Sequence, residues 1–374
     1  MKSTVSIVGC GSYSYDAVSA SVRRAAELSG GLNNLGSRVL LKVNLLRPSR
    51  PEEAIVTHPM VVKAVVELLQ SRGHEVVIGD SPGGPMVERM LKRAYKLAGL
   101  LQVVEETGAS LNYDVSYKYV PNPGGKLIKG FQVLNVLDSV DSVVTLPKLK
   151  THVLMQFTGS TKILFGLIPG LLKSGYHGKL KSRENFAEML VDLLQLVKPE
   201  LSIMDGVIGM DGDGPAAGSP KQVGLILASS DSVALDAVAC SVVGFDPGSV
   251  PTLWAAIQRG LWSGRLEDIS IIGEPLDSVR VSGFRPPLSP ASSTLMSLLG
   301  SVSRSLFIPS PHSNSNCVGC GICVENCPVD AITLKDGRAR MDLSMCIRCY
   351  CCHEMCPHHA VDLRRNPVVD FLRL

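Results

Sequence analysis

A cysteine pattern that occurs twice near the C-terminus constrains this 374-residue chain more than any other feature. Cys317-Val-Gly-Cys320-Gly-Ile-Cys323-Val-Glu-Asn-Cys327-Pro328 is followed, after a short spacer, by Cys346-Ile-Arg-Cys349-Tyr-Cys-Cys352-His-Glu-Met-Cys356-Pro357. This spacing lets a tight loop wrap three thiolates around one face of an iron–sulfur cube and sends the fourth to a neighbouring cube, so its duplication predicts two [4Fe-4S] clusters. Cys317, Cys320 and Cys323 are expected to take Cys356 as their fourth ligand, and Cys346, Cys349 and Cys352 to take Cys327. Gly319 and Gly321 allow backbone amides to approach the sulfurs, while Pro328 and Pro357 turn the chain without offering an N–H. Asp336-Gly337, flanked by alternating apolar residues, predicts a hairpin between the runs.

Eight cysteines also admit a reading as two structural zinc sites. Zinc, however, usually joins one C-x2-C to a distant C-x2-C rather than using four cysteines followed by proline. A disulfide framework fits poorly, because Met1 to Gly9 is too short an apolar run for a secretory signal. The segment resembles the bacterial two-[4Fe-4S] ferredoxins over about fifty residues. Free ferredoxins of that kind are acidic, whereas residues 317–374 hold seven Lys/Arg and seven Asp/Glu. A neutral module is expected to dock on its own chain. Of the other cysteines, Cys10 and Cys240 lie in apolar stretches and read as core thiols, and Cys351, out of phase with both runs, reads as a spare reduced thiol.

The length leaves room for two or three domains, and 45% hydrophobic residues exclude a disordered chain. No stretch reaches the eighteen or so apolar residues of a spanning helix, so the expectation is a cytoplasmic protein with no membrane span. A net charge of +3 gives no reason to expect nucleic acid as a partner. Strand patterns at 4–9, 39–46, 75–79, 142–146, 201–206 and 223–229 alternate with helical ones at 16–28, 57–70, 86–105, 183–197, 231–243 and 251–259. This predicts an α/β body with an open parallel or mixed sheet, followed by an α+β dicluster ferredoxin-like module. The expected boundaries are a body at 1–284, a Pro/Ser-rich linker at 285–315 and the module at 316–374. Within the linker, the apolar stretch 295–308 is expected to pack on the chain itself.

Several strands end in polar residues that an open α/β sheet would gather at one crevice. Lys42, Asn44, Asp80, Lys162, Asp205 and Asp213 are the candidates for holding a cofactor or substrate; Lys148, Lys150 and His152 are the candidates for catalysis. Glycine mixed with Lys, Ser and Thr around 147–170 suits an anion, although no Walker A sequence occurs. Asp211-Gly-Asp213-Gly-Pro215 reads either as part of the site or as a turn that caps its own backbone. His58 and His177 read as ligands, acid–base groups or structural residues.

Lys42-Val-Asn44, Gly79-Asp-Ser-Pro-Gly83, Leu146-Pro-Lys-Leu-Lys-Thr-His152, Gly166-Leu-Ile-Pro-Gly170 with His177, and Asp205-Gly with Gly212-Asp-Gly-Pro215 resemble the DUF362 family of prokaryotic proteins. The resemblance covers roughly residues 5–285; some family members carry a C-terminal iron–sulfur module, and no established reaction comes with it. Two functions follow from the residues. One is an oxidoreductase that passes electrons to a small anionic substrate or a cofactor, with a flavin or another second group left open. The other is a non-catalytic carrier or assembly factor serving a redox partner protein.

Overall fold

Alternate residues of the central strands face two different apolar layers, which is why their sequences are continuously hydrophobic. In β2 (Arg38–Val43), Val39, Leu41 and Val43 join one core while Leu40 joins the other. The computed structural model describes residues 2–180, 182–288 and 308–365. β1 (Ser3–Gly9), α1 (Tyr15–Ser29), β2, α2 (Pro59–Gln70), β3 (Glu75–Gly79), α3 (Glu88–Leu97), α4 (Leu100–Thr107) and β4 (Ser110–Leu111) form the first alternation. A hairpin of β5 (Tyr117–Pro121) and β6 (Gly130–Leu134) leads into β7 (Ser142–Leu146), β8 (Lys148–His152) and β9 (Gln156–Thr158). Three helices follow: α5 (Ser160–Ile163), α6 (Leu172–Lys179) and α7 (Arg183–Val197). β10 (Leu201–Asp211), β11 (Ser219–Ser229), α8 (Ser232–Val242), α9 (Pro251–Gln258) and β12 (Ile269–Gly273) complete the body.

These strands form a mixed 10-stranded sheet of order β12-β1-β11-β10-β7-β2-β3-β4, with β8 added on β10 and β9 on β8. β2, β3 and β7 run parallel, so Asn44, Asp80 and Pro147 all follow carboxyl ends at one edge. α1 and α2 cover one face; α7 covers the other. Among the described residues no helix is long and apolar enough to cross a membrane.

Local chemistry explains where elements start, stop and depart from expectation. α1 begins at Tyr15 after Ser14, just before Asp16, and Asp231 caps α8 by accepting from Val233 N and Ala234 N. The single helix expected over 86–105 is two, because Gly99 adopts φ 75° between α3 and α4. The polar stretch after β7 is a strand rather than a loop. Pro147 ends β7, but its carbonyl accepts from Asp205 N at 2.8 Å, and the chain continues as β8 along β10. β10 likewise runs past the expected strand end at Gly206, through a bulge, to Asp211. The apolar 295–308 stretch lies, up to its last residue, outside the described residues.

In the C-terminal module, β13 (Ser310–Ser313) pairs with β16 (Val361–Arg364), although β13 falls in the expected linker. β14 (Ile332–Lys335) and β15 (Arg338–Met341) form the hairpin, with Asp336 and Gly337 both at positive φ as a type I′ turn requires. Two short helices, α10 (Ile322–Glu325) and α11 (Cys351–Met355), complete it.

The module docks on the body. Tyr350 is buried against Val153 and donates to Pro309 O at 2.9 Å, and His353 Nε2 lies 3.3 Å from Asp213 O.

Candidate functional site

The two cysteine runs fold as copies of one another. Gly319 and Gly321 sit at φ 67° and 82°, and the equivalent Arg348 and Tyr350 sit at 55° and 65°. Asp330 and His359, each three residues after the last cysteine of a run, are also left-handed. Non-glycine residues in this region cost about 1–2 kcal/mol each, so the second run accepts strain to keep the shape. Its compensation is visible at Tyr350, whose ring is the contact with the body.

Cys317, Cys320, Cys323 and Cys356 line one cavity of about 350 Å³. Cys346, Cys349 and Cys352 lie within electrostatic reach of one another and of Cys327. The fourth cysteine of each run therefore lies against the other run. Backbone N–H groups point at the sulfurs: Ala331 to Cys327 at 3.2 Å, Ala360 to Cys356 at 3.2 Å, Ala339 to Cys317 at 3.3 Å and Arg348 to Cys346 at 3.4 Å. Such donors stabilise ligating thiolates and tune a cluster's potential. Burial, then crowding by Cys356, Cys320 and Cys317, pushes the Cys323 thiol up to about 11, an opposition that a cationic group among the four sulfurs relieves. The donor set fits an iron–sulfur cluster.

Directly beneath the second run, body and module together line a pocket. Asn44, Asp80, Lys162, Lys173 and His177 come from the body; Cys351 and Glu354 of α11 come from the module. A smaller lobe of about 320 Å³ shares Asn44 and Lys162 and reaches Lys148 and Lys150. Asp236 positions Lys162: its carboxylate accepts from Ser160 N at 2.6 Å and Thr161 N at 2.9 Å at the start of α5. Burial raises Asp236 to about 6 despite these donors.

Most of the cations in the crevice already have a partner. Lys42 Nζ lies 2.9 Å from Asp80 Oδ1, both buried, and burial pulls each toward its neutral form against their mutual attraction. Gly166 leaves this pair its space, since a Cβ there would lie 2.5 Å from Lys42 Nζ. Lys148 Nζ binds Asp205 Oδ2 at 2.9 Å and the Tyr13 hydroxyl at 2.7 Å, and Tyr13 OH donates to Asp205 Oδ1 at 2.8 Å. Tyr13 stacks on His58, whose imidazole burial lowers to about 4. Asp205 is thus the counter-ion of Lys148 beneath the crevice, not a cofactor ligand facing it. Lys150 Nζ donates to Ile55 O at 2.6 Å, and burial drives its pKa well down. Asp213 stands away from the crevice: its Oδ1 accepts from Leu288 N at 2.7 Å and its carbonyl faces His353. The second reading of that turn, as a cap for backbone, is what this geometry provides.

Lys162 differs from these. It lines both lobes and has no hydrogen-bonded or ion-paired partner among the described residues; burial lowers its pKa, while Glu354 and Cys351 act the other way. His152 Nδ1 accepts from Leu154 N and Met155 N, so its proton belongs on Nε2, which lies 3.3 Å from Glu354 Oε1. Burial and the surrounding cations keep His152 neutral, and burial raises Glu354. Asn44 Oδ1 is buried without a hydrogen-bond partner.

Glu354, Lys173 and Tyr13 escape a reading of the sequence. Glu354 is hidden inside the cysteine run, and only the helical phase of α11, which points it away from the ligand Cys352, marks it. Cys351 is buried, lines the pocket beside Glu354 and lies within electrostatic reach of Cys349. Cys351→Ala is expected to leave the iron content unchanged, since Cys351 is out of phase with the ligands of both runs. Loss of iron on anaerobic metal analysis would make Cys351 a ligand instead.

Residues 39–241, more than half of the chain, match the family described as Domain of unknown function (DUF362). The chain belongs to the DUF362 family. Residues 311–333 match the 4Fe-4S binding domain, so this DUF362 protein carries an iron–sulfur domain with at least one cluster site. A thylakoid-associated protein of Synechocystis sp. is 35% identical over 271 residues, covering 70% of this chain and 81% of its own. Among solved structures, the lactate racemase apoprotein of Thermoanaerobacterium thermosaccharolyticum aligns at 14% identity with a TM-score of 0.39, over 62% of this chain and 55% of that one.

Proposed function

We propose that this DUF362 protein is an iron–sulfur oxidoreductase with two [4Fe-4S] clusters, acting on a small anionic molecule held between body and module. The observation that carries this reading is the placement of Lys162, Glu354 and Cys351 around one pocket directly under the second cysteine run. When bound, the clusters supply one-electron chemistry. Lys162, whose charge no side chain neutralises, offers its ammonium to the anion. Lys173 adds charge while its own donors hold Ser81 Oγ at 3.0 Å and Pro82 O at 3.2 Å. Asn44 Oδ1 accepts from a hydroxyl or amine of the same molecule. Glu354 Oε1, whose pKa burial raises, lies at the pocket wall 3.3 Å from His152 Nε2, in reach of a proton exchanged with the bound molecule.

Anaerobic titration with short carboxylates and phosphate esters tests this. Lys162→Gln is expected to weaken binding by about tenfold or more, near 1.4 kcal/mol, with iron content unchanged. Burial lowers Lys173 from its ordinary value to about 7, so it is charged below pH 7 and neutral above. Anion affinity is expected to fall as pH rises from 6 to 8, and binding near pH 7 to take up protons, because the anion favours the ammonium. If no small molecule binds, Lys162→Gln changes nothing and only protein partners reoxidise the chain, it is a carrier.

A further inference from the structure

On the far side of Met355 and Asn326, which line both spaces, a second cavity separates the module from α3. It is lined by the exposed Arg89, Arg93 and His358, by Arg47, which is buried and faces Glu53, and by a single carboxylate, Glu325, around apolar Val87, Met90 and Ile322. Arg89 and Arg93 lie one turn apart on α3 and are exposed, with no ion pair or hydrogen bond among the described residues. Lys92 between them is already paired with Glu88 at 2.6 Å. The groove also reaches Cys320, the exposed one among the chain's cysteines.

We propose that this groove is the docking surface for an acidic one-electron carrier protein. Unpaired guanidinium groups around an apolar floor are the complement of a carboxylate-rimmed apolar patch, and they steer such a partner in solution. The partner then sits over Cys320, the most exposed of the eight ligand positions, while the pocket with Lys162 stays free for a small molecule. One electron passes from the reduced carrier to the docked chain, and no bond or proton changes hands at this surface.

Calorimetric titration with an acidic bacterial ferredoxin as probe, at about 0.02 M ionic strength, tests the proposal. Arg89→Glu/Arg93→Glu is expected to raise Kd by about tenfold or more and to flatten its salt dependence. Arg23→Glu/Arg24→Glu, an equal charge change on the exposed face of α1, is expected to leave Kd within about twofold. Arg89→Gln/Arg93→Gln is expected to give a smaller loss in the same direction, which keeps the test decisive should charge reversal disturb α3. Equal Kd values for wild type and both α3 variants would overturn the proposal, as would equal weakening by the α1 variant. Binding to anionic phospholipid vesicles with the same arginine dependence, and none to the ferredoxin, would also overturn it by making the groove a membrane-facing surface.

Discussion

Replacing Cys356 with alanine is expected to remove about four of about eight irons and to spare the site built by Cys346, Cys349, Cys352 and Cys327. The expectation follows from the cavity in which Cys356 meets Cys317, Cys320 and Cys323, the cysteines of the other run. Cys327→Ala is expected to do the converse. Iron and sulfide analysis gives the stoichiometry, and the two variants should lose different components of the reduced protein's paramagnetic spectrum. If Cys356→Ala instead abolishes the signal that Cys349→Ala abolishes, the runs bind independently and the exchange of ligands is wrong. Zinc in place of iron in the anaerobically purified protein would dismiss the cluster reading for both. Stability should suffer as well, since α11 and the residue before it supply Tyr350, His353 and Glu354 to the contact with the body.

How much of this is legible in the sequence depends on how local each cause is. The cysteine runs are legible because spacing alone fixes the loop, and the Asp336-Gly337 turn because two adjacent residues set it. The mixed α/β sheet follows from apolar periodicity, and β2, β3 and β7 bring their polar ends together as parallel strands must. The partners of those polar residues are not legible. Lys148 and Asp205 are 57 residues apart and meet only because Pro147 hands the chain from β7 to β8 alongside β10. Spacing therefore marks Lys148 as a free cation when its charge is already spent on a carboxylate. Glu354 is the opposite case: a five-residue helix carries no readable amphipathic pattern, and its importance arises only when the module settles on the body. Lys162, a single lysine after a glycine, gains its character from what fails to approach it, which no local pattern records.

Asp205→Ala is expected to be the most damaging single change in the body, at about 3–5 kcal/mol of unfolding free energy. Asp205 is fully buried, and its carboxylate accepts from Lys148 Nζ, Tyr13 OH, His58 N and Val207 N. Removing it strands an ammonium in the interior, and three further donors, Tyr13 OH, His58 N and Val207 N, lose their acceptor at about 1 kcal/mol each or more. Asp205→Asn keeps an oxygen and should cost less. Substituting both members of the pair, as Asp205→Leu/Lys148→Met, is expected to recover only part of the loss, since the Tyr13, His58 and Val207 donors remain without an acceptor. The pH dependence gives a second handle. Burial already lowers Lys148 while Asp205 holds it up; without Asp205 its folded value drops further below the unfolded value near 10.4. The unfolded chain then binds more protons than the folded one through that interval, so the variant's stability must rise with pH up to about 10 and its deficit must shrink. Both tryptophans, Trp254 and Trp262, lie in the body, so their fluorescence during denaturation reports on this part of the chain. A deficit under about 1 kcal/mol, or one that is flat between pH 7 and 10, would show that water reaches the pair and that Lys148 is available to a ligand after all.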